Sequence, residues 1–136
     1  MSFTQKKSLG QHFLNSPVVP QWICDAAGDI GGKTGFEIGP GTGALTRELL
    51  ARGAKVVALG ADARAIAILE REFEAEIAAG NFRLVSGDAR TIDFTDLGLT
   101  DRTYISVANI PYYLSGQLFR SFLQTDTQPT DLVFLV

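Results

Sequence analysis

Cysteine and histidine occur once each, as Cys24 and His12. A single cysteine excludes an internal disulfide, and one histidine gives no basis for a clustered metal site. No apolar run reaches the roughly 18 residues that a membrane helix needs. The opening stretch MSFTQKKSLGQHFL carries lysines but neither an apolar core nor a small-residue cleavage site, so it does not read as a secretory signal. These absences fit a reducing, cytoplasmic setting and no membrane partner. Repeats and low-complexity segments are also missing. The formal net charge of −3 argues against a general nucleic-acid glue. The charge is uneven, however. No acidic residue precedes Asp25, whereas Lys6, Lys7 and His12 do. On composition alone, that basic arm reads equally well as a solvated tail.

What remains is the composition of an ordinary globule, 46% hydrophobic and 20% charged over 136 residues. A chain of that length is about one domain and buries roughly two-thirds of its unfolded surface. Its pattern is a helix followed by strands alternating with helices. Ser16 and Pro17 open a helix that runs to about Ala27 and is ended by Gly31 and Gly32. Residues 34–39 form a strand and 42–52 a helix stopped by Gly53. Residues 55–59 form a buried strand. Asp62 caps a long helix over 63–78, with Ala65, Ile66, Leu69, Phe73 and Ile77 on one face. Strands follow at 82–86 and 103–108, then a helix at 114–124 and a fifth strand in the closing DLVFLV. Such alternation predicts an α/β fold with a doubly wound parallel sheet of about five strands. An apolar strand at the end of the chain predicts an exposed edge, covered in a longer parent or by a second copy in a homodimer.

In doubly wound sheets ligands bind beyond the carboxyl ends of the strands, near the switch in strand order. The unusual residues of this chain lie there. EIGPGTGA (37–44) joins the first strand to its helix. Glycines let the backbone turn tightly and come close to a ligand, and the helix start offers free N–H groups. The loop suits a dinucleotide pyrophosphate or S-adenosylmethionine, and a tight turn without ligand is a third reading. Glu37 tilts the choice, because a carboxylate suits an ammonium and repels phosphate. Asp88, in GDA (87–89), can accept from an adenine amine or simply cap a turn. The second strand, which in either cofactor class should end in an acid for the ribose, ends instead in Gly60, and Asp62 sits where it would cap the next helix.

The segment NIPYY (109–113) is the most unusual strand ending. An exocyclic adenine amine is conjugated and a poor nucleophile. The side-chain oxygen of Asn109 and the carbonyl of Ile110, both accepting from that amine, would localise its lone pair and favour the charge developing on nitrogen. Pro111 would stiffen the chain, and Tyr112 would stack on a base taken out of its helix. The plain alternative is an Asn-x-Pro turn with core tyrosines.

Taken together, KSLGQHFL (7–14), EIGPGTGALT (37–46), GDA (87–89) and NIPYYLS (109–115) resemble, in order, the motifs of the ribosomal RNA adenine N6-dimethyltransferases. This is the family that methylates small-subunit rRNA and includes the erythromycin-resistance methyltransferases, and the small-subunit branch is the closer one. The resemblance implies a Rossmann-like class I methyltransferase fold and S-adenosyl-L-methionine as cofactor. It implies residues 1–15 as a basic arm and 16–136 as part of the cofactor-binding domain, without the helical C-terminal RNA-binding domain. His12 and Leu14 then contact the cofactor from the arm, and Gly39 and Gly41 lie in the cofactor loop. Asp88 and Ala89 meet its adenine. Asn109 touches cofactor and target amine, Tyr112 stacks on the target base, and Lys6 and Lys7 sit near RNA. The chain departs from the family in two ways. Gly60 stands where the family has the ribose-binding Glu, which predicts weak cofactor binding, and the length is about half that of family members. The alternative is therefore a non-catalytic methyltransferase scaffold, with a NAD-binding domain a distant third.

Overall fold

The structure is a computed structural model that describes residues 18–109, 120, 122 and 124–135. Helix α1 (Val18–Ala27) turns Val19, Ile23 and Cys24 inward, an i, i+4, i+5 stripe on one face. Its expected opening residues, Ser16 and Pro17, lie outside the described residues. Burial pushes the Cys24 thiol up to about 11, so it behaves as a small apolar side chain. Strand β1 (Thr34–Ile38) is followed by α2 (Ala44–Ala51), β2 (Lys55–Gly60), α3 (Ala63–Glu72), α4 (Glu74–Ala78), β3 (Phe82–Ser86), a 3-10 turn at Phe94–Leu97, β4 (Tyr104–Asn109) and β5 (Asp131–Leu135).

All four strand pairings are parallel, in the order β3-β2-β1-β4-β5. The expected doubly wound sheet of five strands is therefore present. Its order reverses between β1 and β4, which are neighbours in space though far apart in sequence. Alternation along each strand feeds two cores. One face carries Val56, Ala58, Ile105 and Val107 against α1, α2 and α3. The other carries Phe36, Leu59, Tyr104 and Ala108 against Phe94, Leu97 and Phe122. Phe36 sits in an edge-to-face cluster with Phe94, Tyr104 and Phe122. Arg120, Phe122 and Gln124 are helical, within the helix expected over 114–124. The loop before β5 is fixed by the buried Tyr104 hydroxyl, which donates to the Thr127 carbonyl at 2.7 Å.

The single helix expected over 63–78 is in fact two. Asp62 caps α3 as expected, its carboxylate accepting from the Arg64 backbone N–H at 2.9 Å. The helix then breaks at Phe73, whose φ of −110° is outside the helical range. No Pro or Gly marks that point. The ring of Phe73 is instead held from three sides: by Phe82, with centroids 5.2 Å apart, by the Arg47 guanidinium 5.1 Å from its centroid, and by Gly43. Beyond the break Ile77 leaves the core and is 36% exposed, contrary to its expected place on the buried face.

Gly43 opens α2 with φ +87°, and a Cβ built there would stand 2.8 Å from Phe73 Cε2 and 2.9 Å from Leu69 Cδ2. Left-handed backbone and absent side chain are both required at this position. Changing Gly43→Ala should cost about 3 kcal/mol, combining roughly 1–2 kcal/mol of left-handed strain with overpacking of roughly 1–3 kcal/mol. Gly60→Ala, where the backbone is ordinary and the new Cβ meets the flexible Ile66 side chain, with Cγ1 at 3.3 Å, and Pro40 Cδ at 3.7 Å, should change stability by less than about 1 kcal/mol. Urea melts of the two variants check this, and equal losses would contradict the packing described.

Candidate functional site

Parallel pairing places every strand-to-helix loop on one edge of the sheet. Ile38 is level with Leu59 of β2 and with Ala108 of β4, and Gly60 is level with Ser86 of β3. The chain therefore leaves β1 into the glycine loop beside the point where it leaves β4 at Asn109. Gly60 and the Gly87–Asp88 turn lie on the other side of the same loop. Four of the predicted segments, remote in sequence, share the carboxyl edge of the sheet, and two of them, the glycine loop and Asn109, flank the switch in strand order. His12, Leu14, Lys6, Lys7, Ile110, Pro111 and Tyr112 lie outside the described residues, and Asn109 is placed by its backbone alone.

The loop is anchored at both ends. The Gly39 N–H donates to the Leu59 carbonyl at 2.9 Å, and the Gly43 N–H donates to the Pro40 carbonyl at 2.8 Å. Between them Gly39 (φ +69°) and Gly41 (φ +55°) adopt left-handed backbone, and a Cβ at either would meet nothing within 4 Å. These two glycines thus answer to the turn and leave open space beside the loop. Gly43 differs from them, because its space is already filled by Phe73 and Leu69. Spacing in the motif does not distinguish the two kinds of glycine.

Glu37 is the only acidic side chain among the described residues that is buried, at 1% exposure. It projects from the central strand toward α2, where the Thr46 hydroxyl donates to its Oε1. Burial pushes the Glu37 carboxyl up to about 7, and the Thr46 hydrogen bond offsets only part of that rise. Thr46 was not assigned a role by the motif reading. Its signal in the sequence is a hydroxyl on the apolar face of α2, nine residues after a carboxylate that would otherwise be stranded in the core.

Asp88 faces a different environment. Its Oδ1 accepts from the Arg90 backbone N–H at 2.9 Å, and the Arg90 guanidinium reaches Oδ2 at 2.7 Å. The side-chain and backbone hydrogen bonds of Arg90 hold the Asp88 carboxyl down to about 2. Asp88 is therefore anionic and solvent-facing, and it serves as the turn cap that the sequence also allowed. Ala89 follows it and lines a cleft of about 250 Å³ with Arg90, Ile92, Phe94 and Gln124. Gly60 ends β2 with no acceptor, and its backbone does not require glycine.

A model of the family described as "Ribosomal RNA adenine dimethylase" matches residues 2–136. The chain belongs to this family. A protein of Dehalococcoides mccartyi named ribosomal RNA small subunit methyltransferase A is 38% identical over 131 residues, covering 96% of this chain and 44% of the relative. The protein of the same name from Brucella canis is 42% identical over 127 residues, covering 91% and 44%. The chain thus spans less than half the length of these relatives. Among solved structures, a dimethyladenosine transferase from Plasmodium falciparum superposes with a TM-score of 0.70 at 29% identity, over 88% of this chain and 42% of that one. The 23S rRNA methyltransferase ErmE gives 0.72 at 24% identity, over 90% and 47%, and bears on the fold alone. The family's class I methyltransferase architecture is the fold read from the sequence.

Glu37 gives a pH signature that tests the site's electrostatics without any ligand. Its folded pKa lies above the ordinary 4.5, so the fold favours the neutral form. That preference stabilises fully below about 4.5 and fades as pH rises to about 7, above which the loss is complete. Over that window the wild type should lose roughly 3 kcal/mol more than Glu37→Gln, whose amide oxygen still accepts from Thr46. Parallel stability curves for the two proteins between those pH values would contradict the assignment.

Proposed function

We propose that this chain is the cofactor-binding and base-capturing part of an S-adenosyl-L-methionine-dependent rRNA adenine N6-methyltransferase acting on small-subunit rRNA. The observation that carries the reading is the meeting of the glycine loop and Asn109 at the β1–β4 switch, the position where doubly wound sheets hold their ligands. Membership of the family supports the reaction class. The space left beside Gly39 and Gly41 fits a bound cofactor, and the buried Glu37 below the loop fits a ligand carrying an ammonium better than one carrying phosphate.

S-adenosyl-L-methionine supplies an electrophilic methyl group when bound. The chain's own residues do the rest. Gly39, Gly41 and Glu37 hold the amino-acid end, directly or through water. Asp88 and Ala89 receive the adenine, which requires Asp88 to share or exchange its Arg90 partner. His12 and Leu14 close over the cofactor from the basic arm, and Lys6 and Lys7 meet rRNA phosphates. Asn109 and the Ile110 carbonyl accept from the target amine, which localises its lone pair and favours the positive charge that develops on nitrogen. Pro111 stiffens that clamp and Tyr112 stacks on the flipped base. No general base is needed, because the resulting ammonium is acidic enough to lose its proton to water.

Gly60 favours a second reading, a methyltransferase scaffold that folds without working turnover. A carboxylate at the end of β2 would accept charge-assisted hydrogen bonds from a ribose, each worth roughly 1.5–3 kcal/mol. Without it, affinity falls by about ten- to a hundredfold.

Two measurements separate the readings. Labelled cofactor incubated with immature small ribosomal subunits should yield dimethyladenosine, and Asn109→Ala should abolish it. A folded protein that gives no transfer would leave the scaffold. In titration calorimetry Gly60→Glu should bind S-adenosyl-L-methionine at least about tenfold more tightly than the wild type. A wild-type dissociation constant already in the low-micromolar range would remove the argument from Gly60.

A further inference from the structure

A groove of about 410 Å³ runs beside α2, from Phe73 and Arg47 toward the amino ends of β2 and β3. Its walls include Leu50 and Ala51 from the end of α2, Phe73 from the α3–α4 break, Glu76 from α4, and Arg47 and Asn81. The volume falls within the range of small-molecule sites, and the wall is about equally polar and apolar. Two facts make it more than a surface furrow. Glu76 Oε2 is buried without a hydrogen-bond partner, an uncommon state for a carboxylate oxygen. Phe73 and Arg47 each belong to the groove and to the loop. Phe73 packs on Gly43, while Arg47 donates to the Thr42 carbonyl at 3.2 Å and is paired with Glu72.

We infer that this groove binds a small organic cation with a hydrogen-bond-donating head and a flat apolar body, and that its occupancy is felt in the glycine loop. The head group is dictated by Glu76. Arg47, the other charge in the wall, is already neutralised by Glu72, so the free charge of the groove is negative. A planar amidinium or guanidinium presents two parallel N–H groups to a carboxylate, and a modest rotation of Glu76 gives its orphaned oxygen the donor it lacks. The body of the ligand would lie between Leu50, Ala51 and the Phe73 ring. A ligand pressed on that ring restrains it against Gly43, and thereby restrains the turn between Pro40 and Gly43. The binding step does not depend on the proposed methyl transfer.

Benzamidine is a suitable probe, because it combines an amidinium with one aromatic ring. Titrated into the intact protein and followed by amide chemical shifts, it should move Gly43 and Thr42 together with Glu76 and Asn81. The dissociation constant should be about 1 mM, ordinary for a ligand of that size. Glu76→Gln should weaken binding about tenfold or more, and Ala51→Trp, which fills the groove from its exposed rim, should abolish it. Neither variant touches the loop, so both should keep the wild-type shifts of Gly39 and Gly41. No saturable shift at about ten times that concentration, or equal binding by Glu76→Gln, overturns the site. Binding that moves Glu76 and Asn81 but leaves Thr42 and Gly43 in place overturns the link to the loop.

Discussion

One hydrogen bond joins the central strand to the helix that follows it, from the Thr46 hydroxyl to the buried Glu37 carboxylate. Three of the five residues in the turn between them, Gly39, Gly41 and Gly43, are glycine, so it contributes few side chains that could fix its shape. Its geometry rests on its ends. Glu37 and Thr46 close it below, the Gly39 and Gly43 amides close it along the backbone, and Phe73 and Leu69 close it from α3. A carboxylate is an expensive choice for the core, since burial disfavours its charge and one hydroxyl compensates only partly. An amide or an apolar residue would serve the fold better. Its presence therefore argues for a demand from outside the fold, and a positively charged ligand above the loop supplies one. On the proposed reading, stability and ligand preference are set by the same side chain.

The parallel sheet turns this local closure into a site. Because each crossover returns the chain in the same direction, the four strand ends share an edge, and the order 3-2-1-4-5 leaves a gap between crossovers at β1 and β4. Nothing in the glycine loop or in the β4 ending alone would make them meet. The meeting follows from register, with Ile38 level with Ala108. In this fold the geometry of the candidate site is a consequence of strand order, and its chemistry lies in the loops.

Much of that was legible in the sequence. Strand positions, the glycine loop and the Asp62 cap all follow from residue type and spacing, because short buried strands and caps are decided locally. The residues that escaped are those whose role depends on a partner far along the chain. Gly43 looks like its neighbours Gly39 and Gly41, yet only Gly43 faces a phenylalanine thirty residues away. The break at Phe73 has no Pro or Gly to announce it, because the ring is fixed by Phe82, Arg47 and Gly43 rather than by its own segment. Thr46 sits within a motif whose glycines attract the attention, and its value appears only when Glu37 is known to be buried. Asp88 shows the converse. A turn cap and an adenine acceptor need the same residue in the same place, so sequence alone cannot rank them, and in this structure Arg90 occupies the carboxylate.

Gly60 separates what the fold requires from what the chemistry requires. At Gly39, Gly41 and Gly43 the backbone is left-handed, and a side chain is excluded by conformation. At Gly60 it is not, and an added Cβ has only the flexible Ile66 side chain to displace. The absent acid is therefore not the result of crowding at the end of β2. Glycine here offers no side-chain acceptor to a ligand while leaving strand, turn and α3 cap intact, since Asp62 holds that cap by itself. A protein can lose cofactor affinity in this way without losing its shape. For this chain, a folded sheet is thus no measure of turnover. On the proposed reading, Glu37, Asp88, Asn109 and the residue at 60 bear on turnover, and the sheet beneath them does not report it.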